Sequence, residues 1–188
     1  MADTLTFTLD TGDGEARDVV IKLRPDLAPG HVERITELAK EGFYDGVVFH
    51  RVIPGFMAQG GDPTGTGGGG PGFNIDLEPS KLPHDFGVIS MARTSDPNTN
   101  GSQFFLCFSR EGTNFLDNNY CAFGQAVKGA EVIEKIEKTE VGPSPQGEMS
   151  KPKVPPKIIS CTLVDAPPFG TGPKAVQRSS DAPKAPGR

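Results

Sequence analysis

A chain of 188 residues, 35% of them hydrophobic and 23% charged, suits one globular domain with a single core. Its net charge of -5 argues against a general nucleic-acid binder, since such proteins need a basic surface to displace counterions from phosphates. With 24 glycines and 18 prolines, the composition argues against a mainly helical protein and favours many short strands joined by turns.

The three cysteines, Cys107, Cys121 and Cys161, lie in apolar, strand-like surroundings. We therefore predict buried free thiols rather than a disulfide framework. No CxxC pair or Cys/His cluster indicates zinc and the three histidines are scattered, so we expect neither a cofactor nor a metal. The N-terminus lacks the basic and apolar regions of a signal peptide, and we expect a cytoplasmic protein without membrane association.

Apolar residues alternate over 4–9 and again over 19–23, which predicts a β-hairpin. Pro29 then opens a segment with helical spacing, and Gly42 stands where a left-handed residue would end the helix. His31, near the start of this amphipathic helix, is predicted to be exposed rather than a ligand.

Arg51 lies in an apolar stretch, FHRVIPGFMAQGGD (49–62), which overlaps a predicted strand over 47–53. An arginine in such surroundings is costly to desolvate unless a polar partner or a ligand meets it, which makes Arg51 a functional candidate. The alternative is a surface side chain that keeps its charged end in water. Strand alternation places His50 on the opposite face, and we predict that His50 is a structural, hydrogen-bonded histidine.

The glycine-rich stretch from Gly60 to Gly72 contains GTGGGG, which formally matches the dinucleotide fingerprint GxGxxG. A dinucleotide loop must run from a strand into a helix, whereas Pro71 and an irregular segment follow here. We therefore predict a long glycine loop that approaches a groove or bridges two strands.

Later in the chain, apolar patterns predict further strands and a second short amphipathic helix after Gly129. The proline-rich stretch 141–156 is expected to be solvated. The predicted strands cover residues 88–92, 103–108, 120–127 and 157–164, the last with Ile159, Cys161 and Leu163 facing inward.

Residues 166–188 contain five prolines, three glycines and four Lys or Arg against one Asp. Such a segment buries too little apolar surface to offset the entropy of ordering it, so we predict a disordered tail. The globular domain is therefore expected to span residues 1–165.

Three long segments of the chain are similar to the cyclophilins, a family of peptidyl-prolyl cis-trans isomerases. They are FYDGVVFHRVIPGFMAQGGDPTGTG, GVISMARTSDPNTNGSQFF and TNFLDNNYCAFGQ, in the order and spacing of that family, within a likeness from Leu5 to Val164. The resemblance implies a mainly β fold, a closed eight-stranded antiparallel barrel capped by two α-helices, with the active groove on its outer surface. Periodicity alone predicts only a mainly β protein with two helices.

By this resemblance, Arg51 corresponds to the family's catalytic arginine. The family's proline pocket corresponds to four apolar side chains, at positions 56, 57, 105 and 116. The resemblance implies that the substrate-binding residues are Phe56, Met57, Gln59, Ala92, Arg93, Gln103, Phe105, Phe115, Leu116 and Tyr120.

Three positions differ from frequent family members. Arg93 stands where Asn is common and, with the extra residue in TSDPNTNGSQFF, resembles the bacterial cytoplasmic branch. Phe115 replaces a tryptophan whose indole N–H holds cyclosporin, so weaker cyclosporin binding is expected. Tyr120 replaces a groove histidine and cannot titrate near neutral pH, which excludes a histidine base at that position.

The implied function is catalysis of rotation about Xaa-Pro peptide bonds to assist protein folding, by a hydrogen bond from Arg51 to the prolyl nitrogen. The implied partners are proline-containing peptides and unfolded or flexible protein segments, without nucleic acid or membrane, and a monomer is expected. One alternative is a non-catalytic proline-peptide binding module or holdase chaperone that uses the same groove for affinity alone. A small-ligand barrel of the lipocalin type is a more remote alternative, because the turns are polar and no open apolar interior is indicated.

Overall fold

The computed structural model describes residues 2–78, 80–165 and 174–179, and the fold is mainly β, as predicted. A 3-10 turn, Asn114–Leu116, follows the short helix Arg110–Thr113. The helices are α1 (Pro29–Lys40), α2 (Arg110–Thr113) and α3 (Ala130–Glu137), and the strands are β1 (Ala2–Asp10), β2 (Ala16–Leu23), β3 (Arg51–Ile53), β4 (Met57–Gly60), β5 (Val88–Met91), β6 (Phe104–Cys107), β7 (Ala122–Lys128), β8 (Val141–Pro143), β9 (Met149–Pro152) and β10 (Lys157–Asp165).

Eight of these strands form one curled antiparallel sheet in the order β10-β1-β2-β7-β5-β6-β4-β3. The two edge strands do not pair with each other. Instead, the segment before β3 bonds to the start of β10: the Phe49 N–H donates to the Pro156 carbonyl and the Ile158 N–H donates to the Val47 carbonyl, both at 2.8 Å. The eight-stranded antiparallel fold is therefore confirmed, but the sheet is a half-barrel with a bridged seam and the predicted full closure was overstated.

The main core fills the inside of the curled sheet. Leu5, Phe7 and Leu9 of β1 are at most 4% exposed and face the equally buried inward residues of β2, which confirms the predicted hairpin. Burying each such side chain contributes roughly 1.5–3 kcal/mol.

The two longer helices cover parts of this sheet, and both agree with the sequence-based prediction. The chain leaves α1 through Gly42 at φ +71° and enters α3 through Gly129 at φ +99°, a backbone region that favours glycine. A Cβ atom at position 129 would also lie 2.6 Å from the Asp18 carbonyl oxygen. A third helix, α2, was not predicted because its four residues show no periodicity.

Several strand predictions need correction. The predicted strand 47–53 is regular only in β3, because residues 47–49 bond across the seam of the sheet. Stretch 141–156 is not simply solvated coil, because it holds the β8–β9 hairpin. Ile159 was predicted to face inward but is 44% exposed, because a bulge in the pairing of β1 with β10 gives the inward position to Ile158.

All three cysteines are buried and free, as predicted. Burial raises the pKa of the Cys121 and Cys161 thiols to about 12 and raises that of Cys107 further. The thiols therefore behave as small apolar side chains at neutral pH.

A short segment of the predicted tail, residues 174–179, lies against the body of the protein. The Val176 N–H donates to the Ala126 carbonyl at 2.9 Å, and the Val176 side chain packs against the main core. Arg178 pairs with Glu137 at 3.0 Å. These contacts were not expected from the composition, and the rest of the predicted disordered tail, residues 166–173 and 180–188, lies outside the described residues.

Candidate active site

Three neighbouring strands place polar and apolar side chains in one row on the outer surface of the sheet. Arg51 of β3 lies opposite Gln59 of β4, and Gln59 in turn lies opposite Phe105 of β6. Directly opposite residues of an antiparallel pair point to the same face of the sheet. The pairing register therefore puts the predicted arginine, a predicted glutamine and a predicted pocket residue side by side.

A cavity of about 100 Å³ lies beside this row. Gln103 borders a larger neighbouring cavity instead, and the Phe115 ring lies against Phe56 with ring centroids 5.8 Å apart. All the other predicted site residues line the small cavity: Arg51, Phe56, Met57, Gln59, Ala92, Arg93, Phe105, Leu116 and Tyr120.

Apolar side chains form part of the wall of the small cavity and are held in place by packing. Met57, Phe105 and Leu116 are at most 5% exposed and belong to a hydrophobic cluster separate from the main core. Tyr120 contacts Phe105 edge-on, with ring centroids 5.7 Å apart. Side chains that served only as core would close the space between them. These side chains leave an open cavity, so the arrangement can hold a small apolar ring.

A chain of hydrogen bonds runs from Arg51 along the groove. Arg51 Nη1 donates to Gln59 Oε1 at 3.4 Å, and Gln59 Nε2 donates to Gln103 Oε1 at 2.9 Å. Gln103 Nε2 then donates to the carbonyl oxygens of Gly67 and Gly69, both at 2.9 Å. These bonds hold the arginine and both glutamines in one orientation along the groove.

Sequence reasoning missed Glu148, which binds the other edge of the Arg51 guanidinium. Arg51 Nε donates to Glu148 Oε1 at 2.8 Å, and Nη2 donates to Oε2 at 3.0 Å. The charged hydrogen bond from Arg51 lowers the pKa of Glu148 to about 2, although burial acts in the opposite direction. The two residues are 97 positions apart, and nothing in the sequence pattern pairs them.

Arg93 borders the groove and supports one of its walls. Arg93 Nε and Nη2 donate to the Asn119 carbonyl at 3.0 and 2.6 Å, and the guanidinium lies 4.5 Å from the centre of the Tyr120 ring. This cation–π contact helps to fix the Tyr120 ring against the cavity. Arg93 and Arg51 therefore have different surroundings, and only Arg51 is held by a carboxylate.

His84 packs against Phe105 without lining the small cavity, and sequence reasoning missed it. The two rings are stacked at 14° with centroids 5.9 Å apart. His84 Nδ1 lies 3.0 Å from Asp117 Oδ1, and Nε2 lies 2.8 Å from Ser90 Oγ. Burial lowers the pKa of His84 despite the neighbouring carboxylate, which favours the neutral ring. His84 does not line the cavity and is positioned as a packing support rather than as a base.

His50 differs from its prediction. It precedes β3, so strand alternation does not fix its direction, and it lines an outer cavity of about 580 Å³ together with Arg51 and Glu148. Its Nδ1 is buried and has no hydrogen-bond partner among the described residues. Burial lowers the pKa of His50.

The glycine-rich loop forms the rim of the groove next to Gln103, in agreement with one of its two predicted roles. The Asp62 carboxylate accepts hydrogen bonds from the N–H groups of Thr64, Gly67 and Gly69 at 2.7, 2.6 and 3.1 Å. Burial tends to raise the pKa of Asp62, but these bonds outweigh it and the pKa is lowered. Residues 67–72 border a cavity of about 450 Å³ that shares Gln59, Ala92 and Arg93 with the smaller one. The loop therefore encloses a carboxylate of its own chain and borders an extended groove.

One group of described residues, His31, Glu78 and Cys121, has potential metal-ligand atoms within 4.8 Å of one another. His31, which was predicted to be exposed, is fully buried, and its Nδ1 contacts the Glu78 carboxylate. That carboxylate also accepts hydrogen bonds from the N–H groups of Gly30 and His31, at 2.9 and 2.7 Å. Glu78 therefore caps the N-terminus of α1, and its oxygens are already occupied.

Comparison with known proteins agrees with this geometry. The family model described as "Cyclophilin type peptidyl-prolyl cis-trans isomerase/CLD" matches residues 6–163. A probable peptidyl-prolyl cis-trans isomerase of Brucella suis biovar 1 (strain 1330) is 41% identical over 170 residues, which cover 84% of this chain and 82% of the relative. A peptidyl-prolyl cis-trans isomerase of Arabidopsis thaliana is 41% identical over 144 residues, covering 74% of this chain and 86% of the relative.

A solved structure shares the fold. The crystal structure of a Cryptosporidium parvum cyclophilin type peptidyl-prolyl cis-trans isomerase has a TM-score of 0.77 and 30% identity, and the match covers 89% of this chain and 100% of that one. The family match spans nearly the whole folded body, and the resemblance predicted from three sequence segments is confirmed. The chain belongs to the family of cyclophilin-type peptidyl-prolyl cis-trans isomerases and is an enzyme of that type.

Proposed function

We propose that the proline ring of a substrate enters the apolar cavity while Arg51 donates a hydrogen bond to the prolyl nitrogen. The observation that carries this proposal is that Arg51 lines the same cavity of about 100 Å³ as the buried apolar side chains of Met57, Phe105 and Leu116. Proline is a compact ring with a fixed φ and no N–H, so a small apolar recess beside a hydrogen-bond donor suits it.

The chemistry needs no acid or base. In a planar Xaa-Pro amide the nitrogen lone pair is delocalised, which gives a rotation barrier of roughly 20 kcal/mol. Twisting the bond localises the lone pair on nitrogen, and a donor aimed at that atom then interacts more strongly with the twisted state than with either planar isomer. A guanidinium suits this role because its N–H groups are donors in a fixed, planar arrangement. No covalent bond breaks in this rotation, so no cofactor is required.

The free energy needed to accelerate rotation about the Xaa-Pro bond exceeds what one hydrogen-bond donor supplies. To accelerate this rotation by about five decades, the enzyme would have to lower the barrier by about 7 kcal/mol, at roughly 1.4 kcal/mol per decade. Removing one preorganised donor from an active site typically costs about 3–4 kcal/mol. We propose that the remainder comes from contacts that hold the ring against Met57, Phe105 and Leu116 while the carbonyl side of the bond turns.

The larger neighbouring cavity gives the peptide a path beyond the proline. It shares Gln59, Ala92 and Arg93 with the small cavity, and Gln103 lines the larger one. We propose that these four residues bind the peptide backbone. Their fixed hydrogen bonds reduce the ordering that binding would otherwise require.

We propose that the substrates are proline-containing peptides and unfolded or flexible protein segments, with a role in protein folding. Another crystal structure of the Cryptosporidium parvum protein was determined in the presence of the dipeptide Ala-Pro, with 31% identity and a TM-score of 0.75, which supports this class. No helix within the described residues is long and apolar enough to span a membrane. We also propose that the protein acts as a monomer in the cytoplasm.

We propose weak binding of cyclosporin, because Phe115 offers no side-chain N–H donor at the rim of the groove. Its ring is 47% exposed and lies against Phe56, so it contributes apolar surface only.

The test is the approach to cis/trans equilibrium in a series of short Xaa-Pro peptides, with and without the protein and with and without cyclosporin. We expect the peptide to reach cis/trans equilibrium much faster than in the uncatalysed reaction, whose relaxation time is roughly tens of seconds, at protein concentrations far below that of the peptide. Unchanged relaxation, together with saturable peptide binding, would instead support the non-catalytic binding module or holdase. Uptake of a fluorescent fatty acid without peptide binding would support a lipocalin-type barrel.

A further inference from the structure

Glu148 and Arg51 form a two-point ion pair on the outer surface of the sheet. The carboxylate binds the side of the guanidinium that carries Nε and Nη2, at 2.8 and 3.0 Å. This geometry fixes the plane of the guanidinium, which a single contact would leave free to rotate.

The backbone of Glu148 is held in place by the turn of the β8–β9 hairpin. The Ser144 N–H donates to the Glu148 carbonyl at 2.7 Å, and the Glu148 N–H donates to the Ser144 hydroxyl at 3.2 Å. Gly147, at φ +86°, provides the left-handed residue of this turn. The backbone that carries the Glu148 side chain therefore has a defined position, and the carboxylate is held by its two hydrogen bonds from Arg51.

Glu148 acts from the side of Arg51 that is turned away from the apolar cavity. Arg51 lines two cavities, the small apolar one and an outer one of about 580 Å³, whereas Glu148 lines only the outer one. A guanidinium has five N–H groups. Two are used by Glu148 and one by Gln59, so two are left for other acceptors.

We propose that Glu148 is a positioning residue for the isomerase reaction: it holds the guanidinium of Arg51 so that the remaining N–H groups point at the prolyl nitrogen. Glu148 does not touch the substrate in this arrangement. The inference rests on the proposed role of Arg51 and adds to it the group that sets the direction of the donor.

The ion pair between Arg51 and Glu148 contributes little to the stability of the fold. The side chains of Arg51 and Glu148 are 36% and 44% exposed, and exposed pairs contribute little to folding. A misdirected donor, in contrast, strongly lowers the rate of a reaction that depends on preorganised geometry. The loss of Glu148 should therefore be visible in turnover and not in the stability of the fold.

The test compares Glu148→Ala and Glu148→Asp with a matched control, Glu140→Ala. Glu140 pairs with Lys153 beside the same hairpin, so its removal deletes an equal charge without touching Arg51. For each protein, kcat and KM are measured by NMR exchange on an Ala-Pro peptide, and the urea midpoint is recorded. The ¹⁵N–¹H signal of Arg51 Nε, identified by its absence in Arg51→Lys, reports whether the guanidinium is still held.

We expect Glu148→Ala to lower kcat about tenfold with KM changed by less than about twofold, and to broaden or shift the Arg51 Nε signal. Glu148→Asp should restore part of kcat, while Glu140→Ala and all urea midpoints should match the wild type. A wild-type kcat, or a raised kcat, in Glu148→Ala would overturn the inference, and the raised value would identify the pair as a restraint on the enzyme. If Arg51→Ala itself retains full activity, the proposed role of Arg51 fails and this inference fails with it.

Discussion

The buried ion pair between Arg178 and Glu137 attaches the segment 174–179 to the body of the protein and can be tested by removing the arginine. Glu137, at the end of α3, is fully buried, and its Oε2 accepts hydrogen bonds from the Gly55 N–H at 2.7 Å and from Arg178 Nη2 at 3.0 Å. Gly55 directly precedes Phe56 of the cavity wall, so the pair also stabilises the turn that carries that residue.

The structure sets the size of the expected effect of Arg178→Ala. Breaking a fully buried ion pair costs about 3–5 kcal/mol, and losing one charged hydrogen bond costs about 1.5–3 kcal/mol. Glu137 keeps its hydrogen bond from Gly55 and can take up a proton, and the Arg178 side chain is 18% exposed, so the lower range applies. We expect the free energy of unfolding to fall by about 2 kcal/mol at pH 7.5.

The effect should also depend on pH in a defined direction. Burial raises the pKa of Glu137 above 4.5 in the folded protein, while Arg178 acts against that increase. A carboxyl group with a raised folded-state pKa contributes most stability below its unfolded pKa and loses that contribution as pH rises through the folded pKa. Without Arg178 the pKa rises further, so the cost of Arg178→Ala should be larger at pH 7.5 than at pH 4.5.

Urea unfolding followed by circular dichroism measures this cost directly. Arg24→Ala is the matched control, because Arg24 pairs with Asp26 at the surface and such pairs contribute about 0–1 kcal/mol. The reasoning is refuted if Arg178→Ala is as stable as Arg24→Ala at both pH values.

Two further predictions concern the apolar cavity and the cysteines. Leu116→Ala should lower the free energy of unfolding by about 2–4 kcal/mol and kcat/KM by at least about fivefold, because Leu116 is 5% exposed and lines the small cavity. A wild-type kcat/KM in the folded variant would exclude this role of Leu116. A thiol reagent such as DTNB should label none of the three buried cysteines in the native protein at pH 8, because burial raises the pKa of each thiol. All three should be labelled in denaturant. Rapid labelling of the native protein would contradict the buried position of these cysteines.

The strands with strict alternation were the most predictable part of the fold. In β6, Phe105 and Cys107 face the cavity cluster while Phe104 and Leu106 face the main core, as their alternation predicted. The short strand β4 and the hairpin of β8 and β9 have no such pattern, and they form because neighbouring strands and the turn supply their hydrogen bonds.

The long-range contacts of charged residues could not be predicted from the sequence. His31 appeared to lie on an exposed helix face, but Glu78, far along the chain, buries it and caps the helix. Glu148 and His84 support Arg51 and Phe105 through partners that are also distant in the chain. Each of these pairs depends on tertiary structure, which the local periodicity of apolar residues in the sequence does not reveal.

The residues around the cavity could be assembled from the sequence only through the likeness to a family. Composition and spacing identified Arg51 as an unusual arginine in an apolar strand, but they left open whether Phe105 and Leu116 were simply part of the core. The structure brings them together around one cavity, which the register of β3, β4 and β6 explains.

The most direct test of the proposed mechanism measures turnover and peptide affinity together in Arg51→Ala. If Arg51 stabilises the twisted state, kcat should fall by at least about tenfold, while the Kd for a Xaa-Pro peptide should change much less, because Met57, Phe105 and Leu116, which we propose hold the ring, are unchanged. Arg51→Lys should also be impaired, since an ammonium cannot be held by Glu148 at two points. Near-normal turnover in a folded Arg51→Ala protein would contradict the mechanism.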